Sequence, residues 1–280
     1  MPSYAFGIAD FFLIGELHMY PYDLFLGLDL YDLMLAVGFF AALLYLRFWG
    51  DRRSFSAGLQ NLCIIGALVA MIGGYGAAVL TQAVYNWLES GTFEVVSGTG
   101  ATFYGGLVGG AILFLAVYFV AGHFILRDGQ AKKRFFEMSE IAAGSIALAH
   151  GFGRLGCLFA GCCHGKVTDA WYGVYNHYLD AKTVPVQLFE ALFLFALAAF
   201  LTYRLCRGLR GNLGLYLIGY AVWRFLIEYL RADDRGQTFI RALSPSQLTA
   251  ILLALLGVGI WVIEYTLAMR KQEAGGSSDA

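Results

Sequence analysis

The sequence predicts an all-α polytopic membrane protein, a seven-transmembrane helix bundle with an outward N-terminal arm. Three observations predict it. Of the 280 residues, 59% are hydrophobic and only 14% are charged, whereas soluble domains carry about 45–50% apolar and about 25% charged residues. Seven runs reach the roughly 20 mostly apolar residues that a helix needs to cross a bilayer. The basic residues fall on alternate connections between these runs, the pattern that sets orientation. Nineteen Lys and Arg stand against twenty Asp and Glu, for a net charge of -1 with no basic stripe, so nucleic acid is excluded as a partner.

The elements follow in chain order. The first 46 residues hold no Lys or Arg and include Asp10, Glu16, Asp23, Asp29 and Asp32, so the positive leader of a cleavable signal peptide is missing and the N-terminus is expected to be retained. Residues 1–28 are aromatic, acidic and too irregular to span; they read as an arm at the outer membrane surface. Residues 29–271 form one seven-span domain, with spans near 29–48, 60–85, 102–125, 138–160, 186–206, 212–231 and 246–268. Arg47, Arg52 and Arg53 follow the first span, and Arg127, Lys132, Lys133 and Arg134 the third. Arg204, Arg207 and Arg210 follow the fifth, and Arg270 and Lys271 the last. The other side receives Lys166, Lys182, Arg231, Arg235 and Arg241, diluted by Glu89, Glu94, Asp169 and Asp180. The N-terminus therefore faces outward and the C-terminus the cytoplasm. With 35 Gly in the chain, close packing in one bundle is expected. The Gly/Ser-rich residues 272–280 read as a disordered cytoplasmic tail.

Charge inside a membrane is costly and points to function. Arg154 and Arg224 both interrupt apolar spans. His150, Arg154, Cys157 and Gly161 recur at intervals of four, three and four, which places them on one helical face, as Arg224, Glu228 and Arg231 are on the sixth span. Two convergent guanidinium groups suit a phosphate, which they grip through paired charge-assisted hydrogen bonds. At that depth the abundant phosphate is a phospholipid headgroup. The competing reading of Arg224 and Glu228 is an internal pair that only satisfies buried charge. Gly105, Gly106, Gly109 and Gly110 serve equally well as a packing face or as part of a site beside Tyr104. Cys162, Cys163 and His164 form neither a CxxC pair nor two separated ligand groups, so no metal is expected, and small semi-polar packing or a thiol–disulfide role are the readings left.

These segments resemble the prolipoprotein diacylglyceryl transferase family. Gly153-Arg154-Leu155-Gly156 is similar to the start of its Gly-Arg-x-Gly-Asn-Phe-x-Asn-Gly-Glu signature, and Tyr104-Gly105-Gly106-Leu107 to its His-Gly-Gly-Leu. Val184-Pro185-Val186-Gln187-Leu188-Phe189-Glu190 is similar to His-Pro-Ser-Gln-Leu-Tyr-Glu, and the segment from Arg224 through Glu228 to Arg231 to Arg-Phe-x-x-Glu-x-x-Arg. Tyr31 stands where the family has a tyrosine opening the first span, and Ser244 to Gln247 where a polar turn opens the last. The resemblance implies a bacterial inner-membrane enzyme that moves the diacylglyceryl group of phosphatidylglycerol, or a related phospholipid, to the lipobox cysteine of a prolipoprotein. It implies Tyr104, Arg154, Arg224 and Glu228 as catalytic residues. It implies Tyr31, Gly105, Gly106, His150, Cys157, Gln187, Glu190 and Arg231 as substrate-binding, and neither cofactor nor metal.

The departures bear on the acceptor. The family's histidine is Tyr104 here, and a phenol with pKa about 10 is a poorer base near neutrality than an imidazole at about 6.5; His150 and His164 are the other candidate bases. The signature's asparagines are Cys157 and Ala160, and its glutamate is Cys162. Two alternatives stay open: a paralogue that gives a phospholipid-derived group to another acceptor, and a non-catalytic lipid-binding membrane protein.

Overall fold

The computed structural model describes residues 18–19, 23–25, 27–91, 93, 95, 102–126, 129–232 and 243–276. Among these, seven helices are long and apolar enough to cross a membrane. α1 (Leu30–Arg52) opens with a reciprocal cap, in which Asp32 N donates to Asp29 Oδ1 at 3.0 Å and Asp29 N to Asp32 Oδ2 at 3.3 Å. The pair satisfies two amides that the helix start leaves unbonded. α2 (Ala57–Ser90) starts at Ser56, whose Oγ accepts from Leu59 N, and stops at Gly91, whose φ of +76° suits the left-handed helix end. α3 (Phe103–Ala116) runs through a π-helical turn at Val117–Ala121 into α4 (Gly122–Ile125), which completes the third span. The remaining spans are α5 (Gln130–Phe159), α6 (Val186–Cys206), α7 (Asn212–Ile227) with a 3₁₀ turn at Glu228–Leu230, and α8 (Pro245–Gly276).

The sequence shows no boundary inside the spans, yet the chain packs as two compact units, Arg47–Met138 and the two segments Met1–Leu46 and Ser139–Ala280. In the first, α2 and α3 meet through glycines. A Cβ at Gly110 would lie 3.1 Å from the Ala70 carbonyl oxygen, and one at Gly74 would lie 3.1 Å from that of Gly106. Backbones this close require residues without side chains. The unit's other anchor is Tyr118, fully buried, whose hydroxyl donates to the Ala131 carbonyl at 2.9 Å.

The second unit is built around Ala143, Ala147, Leu194, Ala198, Leu201, Tyr216 and Tyr220, contributed by α5, α6 and α7. Glu140 of α5 accepts from the amides of Gly211 at 2.6 Å and Asn212 at 2.8 Å, capping the positive start of α7 with a buried carboxylate. α8 begins with a second reciprocal cap, in which Gln247 N donates to Ser244 Oγ at 3.2 Å and Ser244 N to Gln247 Oε1 at 3.1 Å. Short strands lie outside the spans. β1 (His18–Met19) pairs with β4 (Val174–Asn176), which pairs with β5 (Ala181–Thr183), while β2 (Asp23–Phe25) pairs with β3 (Leu28–Asp29). Part of the arm expected at 1–28 is thus stranded; residues 1–17 lie outside the described residues.

Three expectations need correction. Gly161 does not share the helical face of Arg154, because α5 ends at Phe159 and Gly161 turns with φ +68°. Arg231 is not on the sixth helix either: α7 tightens into the 3₁₀ turn after Ile227 and Arg231 is extended, with φ -82° and ψ 154°. The last helix runs past Lys271 to Gly276, since Gln272, Glu273 and Ala274 are good helix formers; residues 277–280 lie outside the described residues.

Candidate functional site

Arg154 sits a little over one turn before the end of α5. Its Nη2 donates to the Tyr220 hydroxyl at 3.2 Å, and its Nε lies 3.1 Å from Glu190 Oε1. Tyr220 in turn donates to the same Glu190 oxygen at 2.8 Å. α5, α6 and α7 each supply one member of this triad, and Glu190 is fully buried while Arg154 keeps 14% of its side chain exposed. No carboxylate of its own helix bonds Arg154; its ion-pair partner Glu190 comes from α6.

One turn earlier, His150 Nδ1 lies 3.1 Å from the Tyr216 hydroxyl, and its ring meets Tyr220 edge-on with centroids 4.5 Å apart. Both His150 and Tyr220 are within electrostatic reach of Arg154 and of Arg224. Arg224 Nη2 is 2.8 Å from Glu228 Oε2 and donates to Ser246 Oγ at 2.8 Å. Glu228 also accepts from Ser244 Oγ at 2.7 Å, and Arg231 Nε stands 4.0 Å from it. The i,i+4 pair is real, so part of the Arg224–Glu228 contact is scaffold. It does not exhaust the site: Arg224 Nη1, His150 Nε2 and Glu190 Oε2 are buried and have no hydrogen-bond partner among the described residues. Buried polar atoms are rarely left this way, and a bound anion is one explanation for an unmet guanidinium N–H.

Gln187 points elsewhere. Fully buried, it donates from Nε2 to the Cys162 carbonyl at 2.6 Å and so fixes the turn that follows α5. Asn176, also fully buried, holds the same turn by donating to the Gly161 carbonyl at 2.9 Å. Within this turn the sulfurs of Cys157, Cys162 and Cys163 come within 4.8 Å of one another. Hydrogen bonding with Cys157, then with Cys162, with Arg231 adding, holds the Cys163 thiol far below its ordinary range, while hydrogen bonding with Cys157 and Cys163 pushes Cys162 up. Tyr31 lies beside this turn, its ring against Gly156 and in electrostatic reach of the three cysteines.

Tyr104, Gly105 and Gly106 belong to the other compact unit. Tyr104 is 40% exposed. A Cβ at Gly106 would lie 3.2 Å from that of Ala78, and one at Gly105 would strike Thr81, so both glycines have a packing role. The residues that sequence reasoning missed are Tyr216 and Tyr220; Ser244 and Ser246, noted there only as part of a polar turn, also enter the site. A signal for the tyrosines was present: Tyr216, Tyr220, Arg224 and Glu228 recur every four residues, one polar row along an apolar helix.

A family model described as prolipoprotein diacylglyceryl transferase matches residues 22–263. The phosphatidylglycerol–prolipoprotein diacylglyceryl transferase of Clostridium tetani is 31% identical over 256 residues, covering 86% of this chain and 94% of that protein. The protein of the same name from Chromohalobacter salexigens is 32% identical over 253 residues, covering 83% and 86%. That from Pasteurella multocida is 27% identical over 265 residues, covering 89% and 92%.

Proposed function

The chain belongs to the prolipoprotein diacylglyceryl transferase family, and on that premise we propose that it transfers the diacylglyceryl group of phosphatidylglycerol to the cysteine thiol of a prolipoprotein. The thiolate sulfur attacks the diacylglyceryl carbon bonded to the phosphoester oxygen. A C–S bond forms, the C–O bond breaks, and glycerol phosphate leaves with the negative charge. No redox partner is required. The observation that carries this reading is the pair of buried arginines, Arg154 and Arg224, each held by a carboxylate on one side, with Arg224 Nη1 unmet. Such donors, aimed before the reaction begins, stabilise charge as it develops on the leaving phosphate. Glu190, Tyr220, Glu228 and Ser246 aim the guanidinium groups. We assign substrate-binding roles to Tyr31, His150, Cys157 and Arg231 as neighbours of this layer, to Gln187 through the turn it fixes after α5, and to Gly105 and Gly106 beside Tyr104.

The test is the purified chain in phosphatidylglycerol vesicles with a lipobox peptide. The expected result is a peptide mass gain of one diacylglyceryl group with equimolar glycerol phosphate. Release of glycerol phosphate with an unmodified peptide would favour transfer to another acceptor, the reading that Tyr104 in place of the family's histidine keeps in play. In the same assay Tyr104→Phe is expected to lower turnover without moving the pH optimum, since the phenol orients by hydrogen bonding and does not take the proton; a strongly shifted optimum would make it the base. The proposal includes a bacterial inner-membrane location with the N-terminus outward and the C-terminus cytoplasmic.

A further inference from the structure

Three thiols gather at the end of α5, and two of them, Cys162 and Cys163, have no part in the transfer reaction. Cys157 ends the helical face that carries Arg154, and Cys162 and Cys163 return on the turn beyond Phe159. Helix and turn together bring all three sulfurs within 4.8 Å of one another, with the cysteines free of disulfides. Adjacent cysteines alone would read as packing. The third thiol, five residues earlier in the chain, is what the fold adds.

We propose that Cys157, Cys162 and Cys163 form a three-sulfur site for a soft monovalent d¹⁰ cation, Cu(I), beside the phospholipid site. Thiolates select soft cations, and three sulfurs about 2.3 Å from one ion in a plane lie about 4 Å apart, which this cluster can accommodate. Structural zinc takes four ligands, and among the described residues no fourth His, Cys, Asp or Glu joins the group. His164, the adjacent imidazole, instead sets its Nδ1 3.0 Å from the Gly165 carbonyl. Three thiolates around a monovalent ion leave two negative charges, and two arginines face them: Arg154 acts on Cys157 and Arg231 on Cys163.

The cluster is also held from outside. Gln187 and Asn176, both fully buried, fix the carbonyls of Cys162 and Gly161 at 2.6 and 2.9 Å. Such supporting bonds keep ligands in place and are worth about 10–100-fold in metal affinity. This gives Gln187 a second task besides the one assigned to it in phospholipid binding. The proposal stands or falls without the transfer reading, because its readout is metal binding and not turnover.

The experiment uses the full chain in detergent, reduced and handled anaerobically, and titrated with Cu(I) in competition with bathocuproine disulfonate. One copper per chain is expected, with X-ray absorption reporting three sulfurs at about 2.3 Å. Cys157→Ser, Cys162→Ser and Cys163→Ser are each expected to weaken binding at least as much as Gln187→Ala does, by about 10–100-fold or more, and Cys206→Ser to leave it unchanged. Failure of the wild-type chain to take up copper while its thiols titrate as reduced would overturn the proposal. So would a first shell of two sulfurs, or unchanged affinity in any one of the three serine variants. The wild-type sulfur count decides the matter even where a variant does not fold.

Discussion

Arg154 is clamped on two sides, and that fixes what its substitution does. Arg154→Ala strands the fully buried Glu190, and breaking a buried pair costs about 3–5 kcal/mol, so the variant is expected to lose stability as well as activity. Arg154→Lys keeps a cation beside Glu190 but not the planar fork that also reaches Tyr220. We expect it to melt near the wild-type temperature and to lose about 100-fold or more in kcat, the size of effect seen when one preorganised donor to a developing oxyanion is removed. Near-normal turnover in a folded Arg154→Lys chain would remove the phosphate assignment. Arg224 and Glu228 separate differently. If they were scaffold alone, Arg224→Gln/Glu228→Gln would restore both stability and turnover relative to the single variants. With Arg224 serving the phosphate, the double variant is expected to be stable and inactive, checked by melting and the same peptide assay. Both arginines were legible in the sequence because a charge in an apolar run stands out. Glu190 came only from the family resemblance, and Tyr220 as a partner of Arg154 was not legible at all, since each lies on a different helix and periodicity orders residues only within one.

The seven spans were legible as elements, and their ends less so. α5 starts at Gln130, eight residues before the apolar run begins, because Lys132, Lys133, Arg134 and Glu137 suit a helix but not a bilayer core. Hydropathy reports where the membrane is and is silent on helix beyond it. Strands of two or three residues, such as β1 and β4, carry too few alternations to register. The glycine stripe on α3 left packing and function balanced in the sequence; the geometry adds weight to packing, since a Cβ at Gly110 would meet the Ala70 carbonyl oxygen at 3.1 Å. Gly110→Leu is therefore expected to push α2 and α3 apart and to cost about 1–3 kcal/mol, the usual penalty for overpacking. Thermal unfolding in detergent checks this. An unchanged melting temperature would show that the two helices do not depend on their close approach.

Seven crossings place the two ends of the chain on opposite sides of a membrane, and only the basic clusters say which side is which. In the orientation proposed above, with Arg52, Arg134, Arg204 and Arg270 inward, the fourth span would end outward at Phe159 and the sixth beyond Ile227. At about 1.5 Å per residue, Arg154 and Arg224 then lie less than 10 Å from the outer ends of their helices, where an outer-leaflet headgroup is within reach. The same orientation puts the turn bearing Cys162 outside and the end of α6, where Cys206 is exposed, inside. Native thiols thus provide the test without any fusion. A membrane-impermeant maleimide applied to intact, chelator-treated and reduced spheroplasts is expected to label Cys162 or Cys163 and to spare Cys206, which should react only after permeabilisation. Mass spectrometry of the labelled peptides distinguishes the sites. Labelling of Cys206 alone in intact cells would invert the topology and move both arginines to the cytoplasmic half, away from the leaflet that the proposed reaction uses.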